Sequence, residues 1–380
     1  MNLVWFRNDL RVADNATLKA ACDAPGDVIG VYCFDPAFYS ESTWELPIDV
    51  PFTKTGKYRA QFIIESVENL RANLAVHGIP LLVYTQAAQD IIPQLVKKHD
   101  VTTIFLQKEW TRDELEQEQK LGTALEKLPN KPKGHRFYDQ FLYHPDDIPY
   151  SNFQFVPRVF TAFRKLLEKE SSVRQLVSIK NYKQELPAVE HTAIPTLTTL
   201  GLQNITTDSR TAFPWKGGEH AAMERINDYF WKTKKLQVYK KTRNGLLGTD
   251  YSSKLSAWLA NGSISARQIY WEVKRFETEI VANQDTYWLI FELIWRDFFK
   301  YVSLKNGAAI FQLNGILNKE YEWKSSTREL QKWIDGETHE PFVNANMKEL
   351  AATGWMSNRG RQNVASYWSM HREQDWRIGA

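Results

Sequence analysis

The chain is poor in sulfur. Its 380 residues hold five methionines and two cysteines, Cys22 and Cys33, both in apolar surroundings. Two such thiols exclude a disulfide scaffold, form no spaced metal set, and read as reduced, buried groups of a cytosolic protein. No apolar run approaches the length of a bilayer span. The strand-like run from Asn2 follows Met1 at once, so no signal or transit peptide is expected. Internal repeats, low-complexity tracts and a GxGxxG dinucleotide fingerprint are all missing. A hydrophobic fraction of 43% with 24% charged residues excludes a disordered or collagen-like chain. The length suits roughly two to three domains.

Aromatic residues, in contrast, are plentiful. They make up 13% of the chain and include 14 tryptophans, 11 of which fall from Trp215 onward. Beyond Arg210 the chain carries 24 Lys and Arg against 19 Asp and Glu, whereas the first 210 residues carry 24 against 26. A mildly acidic front is thus joined to a basic, tryptophan-dense back, and that asymmetry suits an anionic partner for the back half.

The front alternates buried strand patterns, at Leu3–Phe6, Val28–Phe34, Leu81–Tyr84 and Val101–Leu106, with amphipathic helices. The clearest helix runs from Gly56 to His77 with Ile63, Val67, Leu70 and Leu74 on one stripe. This predicts a parallel sheet covered on both faces, with ligands at the strand carboxyl ends. Residues 1–133 form this unit. Residues 134–212, broken by prolines and polar residues, read as a long connector with one helix near Val159–Lys169. Residues 213–380 read as all-helical, with helices over 219–235, 252–260, 265–280, 286–305, 326–334 and 361–372.

Four stretches could carry chemistry. Tyr287–Tyr301 is apolar nearly all round yet contains Glu292, Trp295 and Arg296, which share a helix face. Buried charges need a partner or a polar ligand, so the choice lies between an internal Glu292–Arg296 ion pair and a ligand site. Gly248–Ser256 sets hydroxyls and Lys254 at a helix start, either as a phosphate cradle or as ordinary capping by Asp250 or Ser252. Asn358–Asn363 leads two arginines into a helix, as a phosphate or carboxylate site or as a solvated turn. Tyr229–Lys241 mixes aromatics and lysines, as single-strand binders do, or is an amphipathic helix end. In the front, Arg7, Arg11 and the Gln107–Trp110 segment follow strands and are expected at the ligand-binding rim. The remaining tryptophans fill cores or stack.

The stretches WFRNDLRVADN, TRNGLLGTDYSSKLSAWLANGSIS, FELIWRDFFKY and NANMKELAATGWMSNRGRQNVASY together resemble the photolyase/cryptochrome family, and the last three are closest in wording to its DASH branch. The resemblance covers nearly the whole chain. It implies a Rossmann-like α/β antenna domain plus an all-α FAD-binding domain, and a blue-light-driven lyase that splits cyclobutane pyrimidine dimers, preferably in single-stranded DNA. The cofactors it implies are FAD and, as is usual for the branch, a 5,10-methenyltetrahydrofolate antenna.

Carried over by position, Ser252, Ser253, Lys254, Leu255 and Ser256 would hold the FAD diphosphate, with Tyr239 nearby. Arg296, Asn358 and Arg361 would border the flavin. Glu292 would hydrogen-bond the lesion, Trp295 would pack on its bases, and Arg359 and Gln362 would face DNA. Glu109 would bind the folate pterin. Trp323 and Trp376 would be the outer and middle members of a tryptophan relay. The family continues past the position of Ala380, supplying acidic flavin contacts and the innermost relay tryptophan, so the helical domain is expected to be incomplete and Arg361 to lack an acidic partner. A monomer in the cytoplasm is expected, with DNA as partner and no membrane or metal. A non-repairing blue-light receptor or nucleic-acid-binding flavoprotein, or an inactive remnant, are the other readings.

Overall fold

The computed structural model describes residues 1–42 and 52–380. Strand β1 (Asn2–Phe6) is buried along its whole length because its alternate side chains enter two cores. Leu3 and Trp5 join Ile91, Ile92 and Leu95 on one face, while Val4 and Phe6 join Leu18, Val67 and Leu70 on the other. Helix α1 (Ala16–Asp23) leads to β2 (Val28–Cys33). A two-stranded antiparallel ribbon, β3 (Glu41–Ser42) with β4 (Phe52–Thr53), precedes α2 (Lys57–Ala75). The chain then runs through β5 (Leu81–Tyr84), α3 (Ala88–Lys98), β6 (Thr103–Gln107), α4 (Arg112–Leu125) and β7 (Lys133–Phe137).

The five long strands form one parallel sheet in the order β5-β2-β1-β6-β7. The order reverses direction between β1 and β6, so the crevice beyond their carboxyl ends is the natural ligand position. Burial pushes the Cys22 thiol up to about 12, which leaves it inert at neutral pH.

Strand β7 corrects the expectation that irregular chain begins at Gly134: Lys133 to Phe137 pair in register with Thr103 to Gln107. It is an exposed edge strand of mostly charged and small residues, so no apolar run marks it. The segment that follows contains α5 (Phe160–Glu170) and packs on both halves of the molecule. The backbone N–H groups of Leu142 and Tyr143 donate to the Asp297 carboxylate, and Gln184 bonds the backbone of Val28 and Gly78.

The back half is helical: α6 (Glu219–Ile226), α7 (Tyr239–Thr242), α8 (Ser256–Asn261), α9 (Ala266–Glu279), α10 (Gln284–Asn306), α11 (Thr327–Ile334), α12 (Pro341–Thr353) and α13 (Asn358–Ser366). A π-helical turn, Asn227–Lys232, prolongs α6, and another, Tyr367–His371, prolongs α13. Helix α12 was not foreseen, although Pro341 at its first turn and Gly354 after its end are the usual boundary residues. Its buried positions are only Val343, Asn346 and Met347, too weak a stripe to read. Among the described residues no helix is long and apolar enough to cross a membrane.

The two halves are locked through the loop after β1. Arg11 pairs with Asp139 at 2.6 Å, and Arg267 pairs with Asp14 at 2.9 Å and Asp139 at 2.7 Å, all four being buried. Glu219 accepts from the backbone N–H groups of Val12 and Ala13.

Candidate functional site

The serine turn is shaped by a residue that sequence reading passed over. Arg225 on α6 is 1% exposed; its guanidinium donates to the carbonyls of Thr249, Ser252 and Ser253 and pairs with Asp228 and Asp250. These carbonyls, turned onto a guanidinium, cannot enter a helix ladder. Lys254 accordingly sits in the left-handed region at φ 63°, and α8 begins only at Ser256 rather than at 252. The Lys254 side chain is buried, and its Nζ has no hydrogen-bond partner among the described residues; it lies 3.4 Å from the Tyr251 ring centroid and 4.6 Å from that of Trp355. Burial pushes its ammonium down to about 7. A buried cation set against ring faces, with the Glu349 and Asp250 charges as its electrostatic counterparts, has donors left over for a polar ligand.

This turn forms one wall of a cleft with about 1510 Å³ of space, open mouth included. Ser252, Ser253, Lys254, Leu255 and Ser256 line it together with Tyr239. Helix α10 supplies the opposite wall through Glu292, Arg296 and Lys300, each four residues after the last, which puts them on one stripe. Trp355, Asn358 and Arg361 also line it. The cleft therefore gathers nine expected flavin-side residues and Glu292 from four separate regions of the chain.

Of the two readings of this helix face, the internal Glu292–Arg296 ion pair does not form. Glu292 instead pairs with Arg243, at the end of α7, at 3.0 Å, and Arg296 gives its donors to the carbonyls of Gln140 at 2.6 Å and Leu259 at 3.1 Å. The α-helical spacing permits that pair, but two carbonyls from other elements match the guanidinium fork better. Burial raises the Glu292 carboxyl, and the Arg243 charge opposes that rise. Arg361 has no ion pair among the described residues.

Trp295 does not line this cleft. Its ring stacks on Phe160 at 3.6 Å and 9°, with the exposed Phe299 beside it at 5.5 Å. Arg359 and Gln362 are exposed on α13; Arg359 donates to Gln362 at 2.8 Å and to Asn244 at 3.1 Å. Trp323 lies against Tyr321 at 5.8 Å, and the Trp376 indole donates to the Leu313 carbonyl at 3.2 Å.

A second hollow, of about 820 Å³, opens between the sheet rim and α10, at the crevice where the strand order reverses. Asn8, which follows β1, and Glu109, which follows β6, line it with Trp110, Arg296, Lys300 and Ser303. Glu109 accepts from Gln107 at 2.8 Å and Asn8 at 3.3 Å. Arg296 and Lys300 thus stand in the partition between the two hollows. Burial pushes Lys300 down to about 8, with the Arg296 charge adding to the effect. Arg11 departs from its expected place at a ligand rim, being consumed in the buried junction with Asp139. Arg7 lies over the Trp5 ring and donates to the Glu114 carbonyl.

Residues 2–189 match the family model described as DNA photolyase, and residues 288–380 match the FAD binding domain of DNA photolyase. The chain is 43% identical over 377 residues to a cryptochrome DASH of Danio rerio, spanning 99% of this chain and 71% of that protein. It is 42% identical over 378 residues to one of Gloeobacter violaceus, spanning 100% and 74%. The fold superposes on the crystal structure of a Synechocystis sp. cryptochrome with a TM-score of 0.93 at 42% identity, covering 100% of this chain and 77% of that one.

Proposed function

The chain belongs to the photolyase/cryptochrome family and carries its FAD-binding domain, and from that premise we propose that it is a DASH-type photolyase that splits cyclobutane pyrimidine dimers in single-stranded DNA under blue light. The observation that carries this reading is the cleft itself, lined both by a buried Lys254 with no hydrogen-bond partner among the described residues and by the half-buried Glu292–Arg243 pair. The first suits a diphosphate and the second a base edge beside a phosphodiester.

The chemistry that reduced, light-excited FAD would supply here is reversible one-electron transfer to the dimer. The protein's part is binding and placement. Lys254 and the hydroxyls of Ser252, Ser253 and Ser256 would neutralise and bond the diphosphate, with Leu255 and Tyr239 closing over it. Asn358, Arg361 and Arg296 would border the ring system. At the mouth, Glu292 would accept from the exposed edge of a base that has left the stack, which any enzyme acting on a base requires. Arg359 and Gln362 would meet the strand from the exposed face of α13. Trp295, covered on one face by Phe160, would offer bases its remaining surface. Trp323 and Trp376 would serve as outer relay members, and Glu109 would hold a methenyltetrahydrofolate pterin in the second hollow.

The test is loss of dimers from a UV-irradiated single-stranded oligonucleotide under blue light, with a dark control and flavin content measured alongside. Light-dependent loss is expected. A protein that retains flavin but removes no dimers is a light receptor or nucleic-acid-binding flavoprotein instead.

A further inference from the structure

We propose that the Arg243–Glu292 ion pair is a selectivity latch, opened only by a strand that presents a backbone phosphate and a free base edge together; this rests on the DNA reading above. The segment that carries Arg243 lies along one stripe of α10. Lys240 Nζ donates to Gln284 at 3.1 Å and lies 4.3 Å from the Trp288 ring centroid, the Lys241 backbone N–H donates to Asp285 at 3.2 Å, and Arg243 closes the row on Glu292 at 3.0 Å. Positions 284, 288 and 292 recur every four residues, so the basic segment is seated along a full two turns of the helix. The next residue, Asn244, accepts from Arg359, which in turn bonds Gln362. Arg243 therefore stands where the cleft mouth meets the exposed basic face.

In this arrangement the two charged groups best placed for a ligand neutralise each other. Their side chains are 22% and 28% exposed, open enough to be reached and buried enough that losing a partner is costly. A phosphate alone would draw off Arg243 and leave Glu292 half-buried without a counter-charge. A base edge alone would take Glu292 and strand the guanidinium. A ligand bringing both groups exchanges one pair of partners for another and strands neither. Undamaged single strands, with bases turned into their own stacks, offer mainly phosphate; a dimer swung out of the stack offers both. Arg243 on this account is a positioning and selectivity residue acting through Glu292.

The test compares binding of undamaged and UV-irradiated oligothymidylate by the flavin-loaded protein, using wild type, Glu292→Gln, Arg243→Gln and the double variant. Glu292→Gln releases Arg243, so undamaged strand is expected to bind about fivefold tighter at low salt, with the preference for irradiated strand narrowed. In the Arg243→Gln background that gain should vanish. An equal gain in both backgrounds would reduce the effect to the general removal of a negative charge and overturn the latch, as would no gain at all. Should Arg243→Gln lose its flavin, Arg243→Ala replaces it, and there too the gain must vanish. Failure of the wild type to bind either strand would sink the DNA reading itself, and the latch with it.

Discussion

The Lys254 ammonium faces the Tyr251 ring from 3.4 Å, and no described oxygen accepts a hydrogen bond from it. Burial lowers its pKa from the ordinary 10.5 to about 7. Between those values the cofactor-free fold binds fewer protons than the unfolded chain, so this group makes stability rise from pH 7 towards 10.5, and its burden is fully present below 7. A bound diphosphate favours the charged form and restores the proton. FAD affinity is therefore expected to fall as pH rises above 7, by at most about tenfold per pH unit. Lys254→Met should flatten that profile and weaken binding by about 1.5–3 kcal/mol at neutral pH. Flavin fluorescence titrations at several pH values check both; an unchanged slope in Lys254→Met would remove Lys254 from the cradle.

Arg296 supports the cleft by holding the Gln140 and Leu259 carbonyls. Arg296→Leu removes two charge-assisted hydrogen bonds and leaves both carbonyls unpaired, for an expected loss of about 2–4 kcal/mol of unfolding free energy. Arg296→Lys should recover less than half, since an ammonium cannot span both acceptors as the fork does. Urea unfolding followed by circular dichroism measures this. Stability equal to wild type in Arg296→Leu would mean the fork contributes to ligand binding alone.

Such differences mark where the sequence could and could not be read. Strand β1 was legible because its residues are apolar on both faces, and α10 because of its long, nearly all-round apolar run. The serine turn stood out as a candidate because hydroxyls beside a lysine need no distant partner to be noticed. Strand β7 was not, because an edge strand of Lys133, His135 and Arg136 has no apolar signature. Arg225 and Arg243 were missed for a further reason. Their roles depend on Thr249, Ser252, Ser253 and Glu292, which only the fold brings to them. Local periodicity names a residue's neighbours on its own helix, as it did for Glu292 and Arg296, and is silent about better partners elsewhere.

Gly262 sits at the seam between the halves. Its φ is 72°, and a Cβ there would lie 1.9 Å from the Asn8 carbonyl oxygen, while its own carbonyl accepts from Arg11 at 3.0 Å. Gly262→Ala combines left-handed strain with a clash against backbone that cannot swing away. The backbone strain alone costs on the order of 1–3 kcal/mol. A lower melting temperature is expected, together with faster proteolysis of the loop after β1. Wild-type resistance to proteolysis would show that the loop can withdraw freely.

The buried quartet of Arg11, Asp14, Asp139 and Arg267 gives the sharpest test of how the halves are joined. Arg267 Nη2 reaches Asp14 at 2.9 Å and Asp139 at 2.7 Å, and Asp14 also accepts from the Ser265 hydroxyl at 2.6 Å. Arg267→Leu leaves two carboxylates facing a single guanidinium in a region shielded from water, and losing one member of such a set typically costs about 3–5 kcal/mol. Adding Asp139→Asn should recover part of that loss, because it returns the buried set to one carboxylate and one guanidinium. Arg11 would then retain the Asp14 carbonyl, to which it donates at 2.8 Å. A double variant less stable than Arg267→Leu alone would mean that Asp139 acts chiefly through the Ala16 backbone N–H it accepts at 3.0 Å, and that charge balance is secondary at this junction.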